Sequence, residues 1–497
     1  MANFLLGVDV GTSSVKSSLI DFNGNVVHEA STSMPPVNVK GSEAEYDPEI
    51  WWMSFKSLLL KINQNIELEK IKALCVCGQG PSLVAVDKKG RPIHASLVWM
   101  DRRAIEESKI IKQRTGDSVD PYLFEPKILW LKNHKPEIYE KSFKFLNSYD
   151  FISYRLTGRG STGILRKNYL PWWSVPYWSI EHLEALGIDL NKMPEPLLVG
   201  EVIGRVTPEA AEETGLSKNT VVVQGVTDFA HDILGSGAVK PGRAMDHGGT
   251  SQGFDLCWHE RLNDPKSRIL VTKHIVPDYW NISGIMSTTG ALLRWFRDNF
   301  CQKEVEEAEK EGKEAYDKFN EMAASVNVGS IGLIILPYFS GERSPIWDPY
   351  ARGVIYGLTL THSKKHIIRA IMESTAYGLK HIMDIINEVG GKISEVRCVG
   401  GQSKSRLWCQ IKADVLNVPT LQLHYNSTAS LGAAIVAGVG IGVFKGLEEA
   451  SESVVKIKER FIPNQSHHEK YQNSYRIYRK LYLQLRELFM ESSRLIF

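Results

Sequence analysis

Short apolar strands alternate with amphipathic helices along almost the whole of this chain, and few architectures accept that pattern. Phe4-Leu5-Leu6-Gly7-Val8-Asp9-Val10 reads as a strand. A second, over 15–20, turns at Asn23-Gly24 into a third, because both turn residues tolerate the positive φ of a tight hairpin. Asp47-Pro48 opens a helix carrying Trp51 and Trp52, with the carboxylate as cap and the proline in the first turn, where its missing N–H costs nothing. Strands are expected over 71–77, 83–86, 97–99 and 221–224, and a helix from Phe229 to a stop at Gly235-Ser236-Gly237. After the turn-rich break Lys240-Pro241-Gly242-Arg243 the pattern resumes. It gives strands near 244–254, 280–286 and 396–399, a helix over 290–300, a solvated charged helix over 304–318, a long helix over 366–389 and a closing one near 471–490. Hairpins first and crossover helices after predict an α/β fold of mixed sheets flanked by helices, in two domains, 1–243 and 244–497, sharing a cleft.

Bulk properties exclude several classes. At 497 residues and 43% apolar content the chain can bury more than one core. A formal charge of +2 offers no basic surplus for nucleic acid. No basic prelude precedes Phe4, so no signal peptide and a cytoplasmic location are expected; the glycine-rich apolar stretch 431–444 is too short to cross a membrane. Cys75, Cys77, Cys257, Cys301, Cys398 and Cys409 lack zinc-site spacing and read as reduced core residues. His362 and His366 share a helix face without an intervening acid, which suits solvated surface better than metal. The tryptophan-rich run from Pro171 to Trp178 reads as lid or local core, and no stripe along the chain identifies a subunit interface.

Three patterns carry chemistry. In Gly225-Val226-Thr227-Asp228 a carboxylate stands between an apolar strand and a helix, where it serves either as an N-cap or as a general base for an incoming hydroxyl. Asp9-Val10-Gly11-Thr12-Ser13 is answered in the second half by Asp246-His247-Gly248-Gly249-Thr250-Ser251. Each leads from an apolar segment through glycine to hydroxyls. One such turn is ordinary; two, one per half, suit paired clamps on phosphate oxygens. No P-loop or Rossmann glycine motif is present, and Gly438-Val439-Gly440-Ile441-Gly442 has the spacing of a helix end instead.

The stretch Gly353-Val354-Ile355-Tyr356-Gly357-Leu358, followed by His366-Ile367 and Ala370-Ile371-Met372-Glu373, resembles the C-terminal signature of the FGGY carbohydrate kinases. Pro337 to Pro345, Gly400-Gly401-Gln402-Ser403-Lys404-Ser405, and in part Lys127, Trp130 and Asn133 resemble the same family. The resemblance implies two ribonuclease-H-like domains of the actin and hexokinase type, closing over ATP and sugar. It places the catalytic base at Asp228 and a magnesium-organising carboxylate at Asp9, with Asp228 beside the same Mg2+. Nucleotide contacts fall at Gly11, Thr12, Ser13, Lys16, Gly249, Thr250 and Gly290, with the adenosine near Gly401 and Ser405. Sugar contacts fall at Gln79, Gly80, Pro81, Trp99, Asp101, Tyr122, Asp228 and Phe229.

Gly80-Pro81 stands where xylulokinases carry Met-His and glycerol kinases Arg-Glu, and Phe229 replaces the Asn or Gln of those groups, which removes a polar sugar contact. The second half points to a ketopentose such as D-xylulose; gluconate, a tetritol or another ketose stay open, and Arg102 and Arg103 would suit an acidic substrate if they faced the cleft. Readings of another class are an actin-like ATPase and a non-catalytic sugar sensor. Many relatives pair as homodimers, which this sequence neither supports nor opposes.

Overall fold

The apolar run before each hairpin becomes the central strand of a sheet, so the sequence echo is also an echo of topology. In this computed structural model, which describes residues 3–165, 180–425 and 427–495, the first large sheet contains β1 (Phe4–Val10), β2 (Ser14–Asp21), β3 (Val26–Ser33), β4 (Ile71–Gly78), β5 (Val202–Arg205) and β6 (Val221–Val223). The second contains β7 (Arg243–Gly248), β8 (Gln252–Trp258), β9 (Leu270–Lys273), β10 (Trp280–Met286), β11 (Glu395–Val399), β12 (Thr420–Leu423) and β13 (Ile457–Phe461). Their orders are β5-β6-β4-β1-β2-β3 and β9-β10-β8-β7-β11-β12-β13. Apart from β9 at an edge, the second repeats the first strand for strand. β1 runs antiparallel to β2 and parallel to β4, as β7 does to β8 and β11. Asp9 lies opposite Cys77 on β4, and Asp246 opposite Cys398 on β11.

The chain divides into two compact units. The first holds residues up to Val239 together with Lys273–Asp278 and Ser427–Val455, and the second holds the rest. The division expected at Arg243 therefore accompanies a break between Val239 and Lys240 and two later returns of the chain.

In the first unit the helix Pro48–Asn63 starts as its sequence requires, with the Asp47 side chain accepting from the Glu49 N–H. It buries Trp51, Trp52, Phe55, Leu58 and Leu59 against the sheet, each contributing about 2 kcal/mol or more. The returning helix Thr428–Gly440 packs on β1, β2 and β4 and on the helix Asp228–Ser236. Glycine permits this approach: a Cβ on Gly7 would stand 1.8 Å from the Ser430 carbonyl oxygen, one on Gly235 1.9 Å from that of Thr428, and one on Gly432 2.1 Å from that of His231.

Three expectations need correction. The charged segment over 304–318 is two helices, Gln302–Lys310 and Ala315–Ala324. Gly312 at φ 68° ends the first, and Glu314 with Asp317 forms the capping box of the second. The long helix begins at Lys364, and His366 is buried in its capping box, its Nδ1 accepting from the Ser363 N–H, so it is not solvated surface. The closing helix spans Gln465–Ser493 because Asn464 caps it, accepting from the His467 N–H. All six cysteines are buried and unbridged. The tryptophan-rich run 171–178 lies outside the described residues, among which no helix is long and apolar enough to cross a membrane.

Candidate active site

β1, β4 and the strand-to-helix turn after β6 end side by side in the first unit. Val10 pairs with Gly78, and Gly78 forms a parallel bridge with Thr227, which sets the start of the Asp228 helix against the ends of both strands. A Cβ on Gly225 would fall 2.1 Å from the Val76 carbonyl oxygen, so the turn reaches this position only as glycine. Asp228 is the first helical residue, half-buried, with Oδ1 accepting from the Phe229 N–H at 2.8 Å; Thr227, not Asp228, holds the N-cap position. His231, one turn on, is fully buried and its Nδ1 donates to the Thr227 carbonyl at 3.0 Å; burial pulls its pKa down to about 4, so the imidazole is neutral at pH 7. No charged histidine competes with the Asp228 carboxylate there.

Asp9 and Asp228 each lie one residue from the paired row Val10, Gly78 and Thr227 at these strand ends. The Cys77 thiol is pushed well above its ordinary pKa by burial, then by the nearby Asp9, Asp228 and Asp232 carboxylates. Among the described residues no third metal-binding side chain groups with them. Two carboxylates fit an ion such as magnesium that keeps much of its water and takes the rest of its shell from phosphate, and would not fit a fully protein-ligated ion. The equivalent acid in the second unit is closed off. Asp246 is buried with Lys412 Nζ at 2.5 Å, and although burial opposes the charge, the carboxylate holds the lysine above its ordinary pKa.

Gln79 follows β4 directly. Its side chain is buried and linked to the first hydroxyl turn, accepting from Thr12 Oγ1 at 3.3 Å and donating to the Gly11 carbonyl at 3.4 Å. Trp99 Nε1 donates to the same Thr12 Oγ1 at 3.1 Å, with the ring 40% exposed. Thr12, Gln79 and Trp99 thus form one chain of contacts, and Gly11 closes its turn by donating to the Ser14 carbonyl. Ser13 lies in this turn, and Lys16 on β2 stands opposite Asp9. The loop Gly80-Pro81-Ser82 sits over the start of the helix Ser148–Thr157, where the Ser82 N–H donates to Asn147 Oδ1.

Asp101 does not offer its carboxylate outward. It is fully buried, accepting from the Ala44 N–H at 2.7 Å and from Arg103, which also pairs with Glu45 at 2.8 Å. Arg102 pairs with Asp120 at 2.5 Å and lies over the Tyr122 ring. Both arginines are matched by carboxylates.

In the second unit Gly249, Thr250, Gly290, Gly401 and Ser405 line one cavity of about 370 Å³. The β7–β8 turn and the helix Gly290–Phe300 meet through glycine: the Gly290 N–H donates to the Gly249 carbonyl at 3.0 Å, and a Cβ on Gly290 would come within 2.3 Å of that oxygen. Gly401 faces open space. Ser405 caps the helix Arg406–Leu416, accepting from the Trp408 N–H and donating to Asn320 Oδ1 at 2.6 Å. Arg294, Tyr316 and Asn320 join the lining without having been singled out in the sequence. Tyr316 and Asn320 fall in or just after a segment that reads as solvated charge, and nothing local in it marks them.

Two α/β units with a shared strand order and hydroxyl-bearing hairpin turns define the two-domain, actin-like class of ATP-using phosphotransferases. The chain belongs to the FGGY family of carbohydrate kinases: its N-terminal domain matches over residues 4–235 and its C-terminal domain over 248–441. The chain is 29% identical over 497 residues to a xylulose kinase of Staphylococcus epidermidis, covering 97% of each chain, and 28% identical over 472 residues to a gluconokinase of Bacillus subtilis, covering 91% of each. The crystal structure of a xylulose kinase from Rhodospirillum rubrum superposes with a TM-score of 0.82 at 27% identity, covering 98% of this chain and 100% of that one.

Proposed function

We propose that this carbohydrate kinase transfers the γ-phosphoryl group of ATP to a hydroxyl of a small neutral ketose or polyol, with D-xylulose, yielding D-xylulose 5-phosphate, as the first substrate to test. The observation that carries the reading is the placing of Asp9 and Asp228 at adjoining strand ends, either side of the paired row Val10, Gly78 and Thr227, with the linked Thr12, Gln79 and Trp99 following those same strands. Asp228 takes the proton of the attacking hydroxyl. The Thr12, Ser13 and Thr250 hydroxyls and the glycine turns offer donors to phosphate oxygens, and Lys16 offers a cation. The cavity at Gly401 and Ser405 takes the adenosine. Asp9 and Asp228 would hold Mg2+, largely through water, which neutralises phosphate charge when bound.

Trp99 supplies an apolar wall, and Gln79, Gly80, Pro81, Tyr122 and Phe229 complete the surroundings of the sugar. Asp101 acts behind them, fixing Arg103 and Ala44. The pairing of Arg102 with Asp120 and of Arg103 with Asp101 and Glu45 supports a neutral substrate. Similarity to a gluconokinase makes gluconate the second candidate.

The test is ADP release across ketoses, polyols and aldonates at equal concentration. The expected result is sugar-dependent turnover with D-xylulose above gluconate. ATP turnover indifferent to every sugar would overturn the reading, and a preference for gluconate would replace the substrate.

A further inference from the structure

Lys127 lies in the helix Phe124–His134 and is fully buried, yet both hydrogen bonds of its ammonium go to backbone: 3.0 Å to the Pro81 carbonyl and 2.8 Å to the Val98 carbonyl. Burial pulls its pKa down to about 7, with the charges of Asp101 and Asp120 opposing the shift and those of Arg102 and Arg103 adding to it. A buried lysine amine bonded to no carboxylate is an expensive way to fill space, and an apolar side chain would pack there at lower cost. What an apolar side chain cannot do is hold two carbonyl oxygens.

Those oxygens belong to the two segments that frame the sugar in the reading above. Leu83 and Leu97 exchange backbone hydrogen bonds of 2.9 and 3.1 Å. From that pair one branch leads back to Gln79 and the other on to Trp99, and Lys127 bridges the branches at Pro81 and Val98, behind the Thr12 hydroxyl that Gln79 and Trp99 share.

We infer that Lys127 is a positioning residue for the acceptor sugar, clamping the Gln79–Ser82 loop to the Val98–Asp101 segment so that Gln79 and Trp99 meet the substrate at a fixed separation. The inference rests on the proposed sugar-kinase reading. Misplacement of a substrate-holding group by about 1 Å is worth up to roughly 100-fold in rate or affinity. Loss of the clamp should therefore fall on the sugar and spare the nucleotide, whose cavity lies in the second unit.

Lys127→Met in the full chain is read in two ways. By hydrogen exchange without ligand, amides in 79–82 and 98–101 should exchange faster than in the wild type, while those in 248–250 and 401–405 keep their rates. In steady-state kinetics the KM of the accepted sugar should rise roughly tenfold or more with the KM of ATP nearly unchanged. Lys127→Gln, whose amide can still serve one carbonyl, should fall between. Unchanged exchange in both segments, an unchanged sugar KM, or sugar and ATP KM values rising in step would overturn the assignment. Should neither variant fold, the wild type supplies the measurement: added sugar should slow exchange in both segments together, and slowing in only one would overturn it. If no sugar is turned over by the wild type, the carbohydrate reading fails by itself, and the ligand-free exchange comparison still decides whether Lys127 clamps the two segments.

Discussion

Asp228 illustrates how one residue type at one position carries two alternatives that local sequence leaves open. A strand-to-helix acid is most often a cap, yet here Thr227 occupies the cap and Asp228 begins the helix, beside Asp9 at the end of β1. Asp228→Asn keeps the shape and the acceptor oxygen while removing the base. Sugar-dependent turnover should fall by roughly 10²- to 10⁴-fold, while binding of an ATP analogue in the absence of Mg2+, measured by calorimetry, stays at the wild-type value. A loss of nucleotide binding equal to the loss of turnover would mean that the residue is structural. Asp9 and Asp246 make the complementary point. They occupy matching places in matching sheets, but Lys412 neutralises the second, so only the first unit keeps a carboxylate of this kind for the site.

Between elements, one buried carboxyl ties three of them. Asp150, in the helix Ser148–Thr157, accepts from Thr162 at 2.7 Å, from the backbone and side chain of Asn147, and from Gln224 just after β6. Through Asn147 it reaches the Gly80-Pro81-Ser82 loop, and through Gln224, which also donates to the Gly225 carbonyl, the turn before Asp228. Burial pushes its pKa up to about 7 from an ordinary 3.8, against those donors. A folded pKa raised above the unfolded one means that this group's contribution to stability is fully present below about pH 4 and is lost as pH rises towards 7. Urea denaturation of wild type and Asp150→Asn at pH 5 and pH 8 should show the wild type losing ground relative to the variant at the higher pH; parallel behaviour would place the ionisation elsewhere. The sequence made the locally coded elements legible: the Asn23-Gly24 hairpin, the Asp47-Pro48 cap and both hydroxyl turns depend on neighbouring residues alone. The site residues that stood next to such turns were legible with them. Lys127, Asp150 and Gln224 were not legible as connectors, since Lys127 reaches carbonyls 46 and 29 positions away and Asp150 meets Gln224 across 74 positions. Gly312 splits a charged run that reads equally well as one helix.

Over the whole molecule, the notable departure from linear order is the return of Ser427–Val455 to the first unit. Residues Thr428 to Gly438 are buried throughout, and Ser430 Oγ lies 2.7 Å from Ser18 Oγ on β2. Residues 1–239 produced alone should therefore lack a cooperative thermal transition by circular dichroism, and linking residues 427–455 to them should restore one. A sharp transition in the short fragment would show that the helix is dispensable. During synthesis the same arrangement imposes a wait. The half that emerges first from the ribosome keeps an oily sheet face uncovered until Ser427–Val455 arrives, about 190 residues after Val239, so chaperone protection is needed longest by the part of the enzyme made earliest.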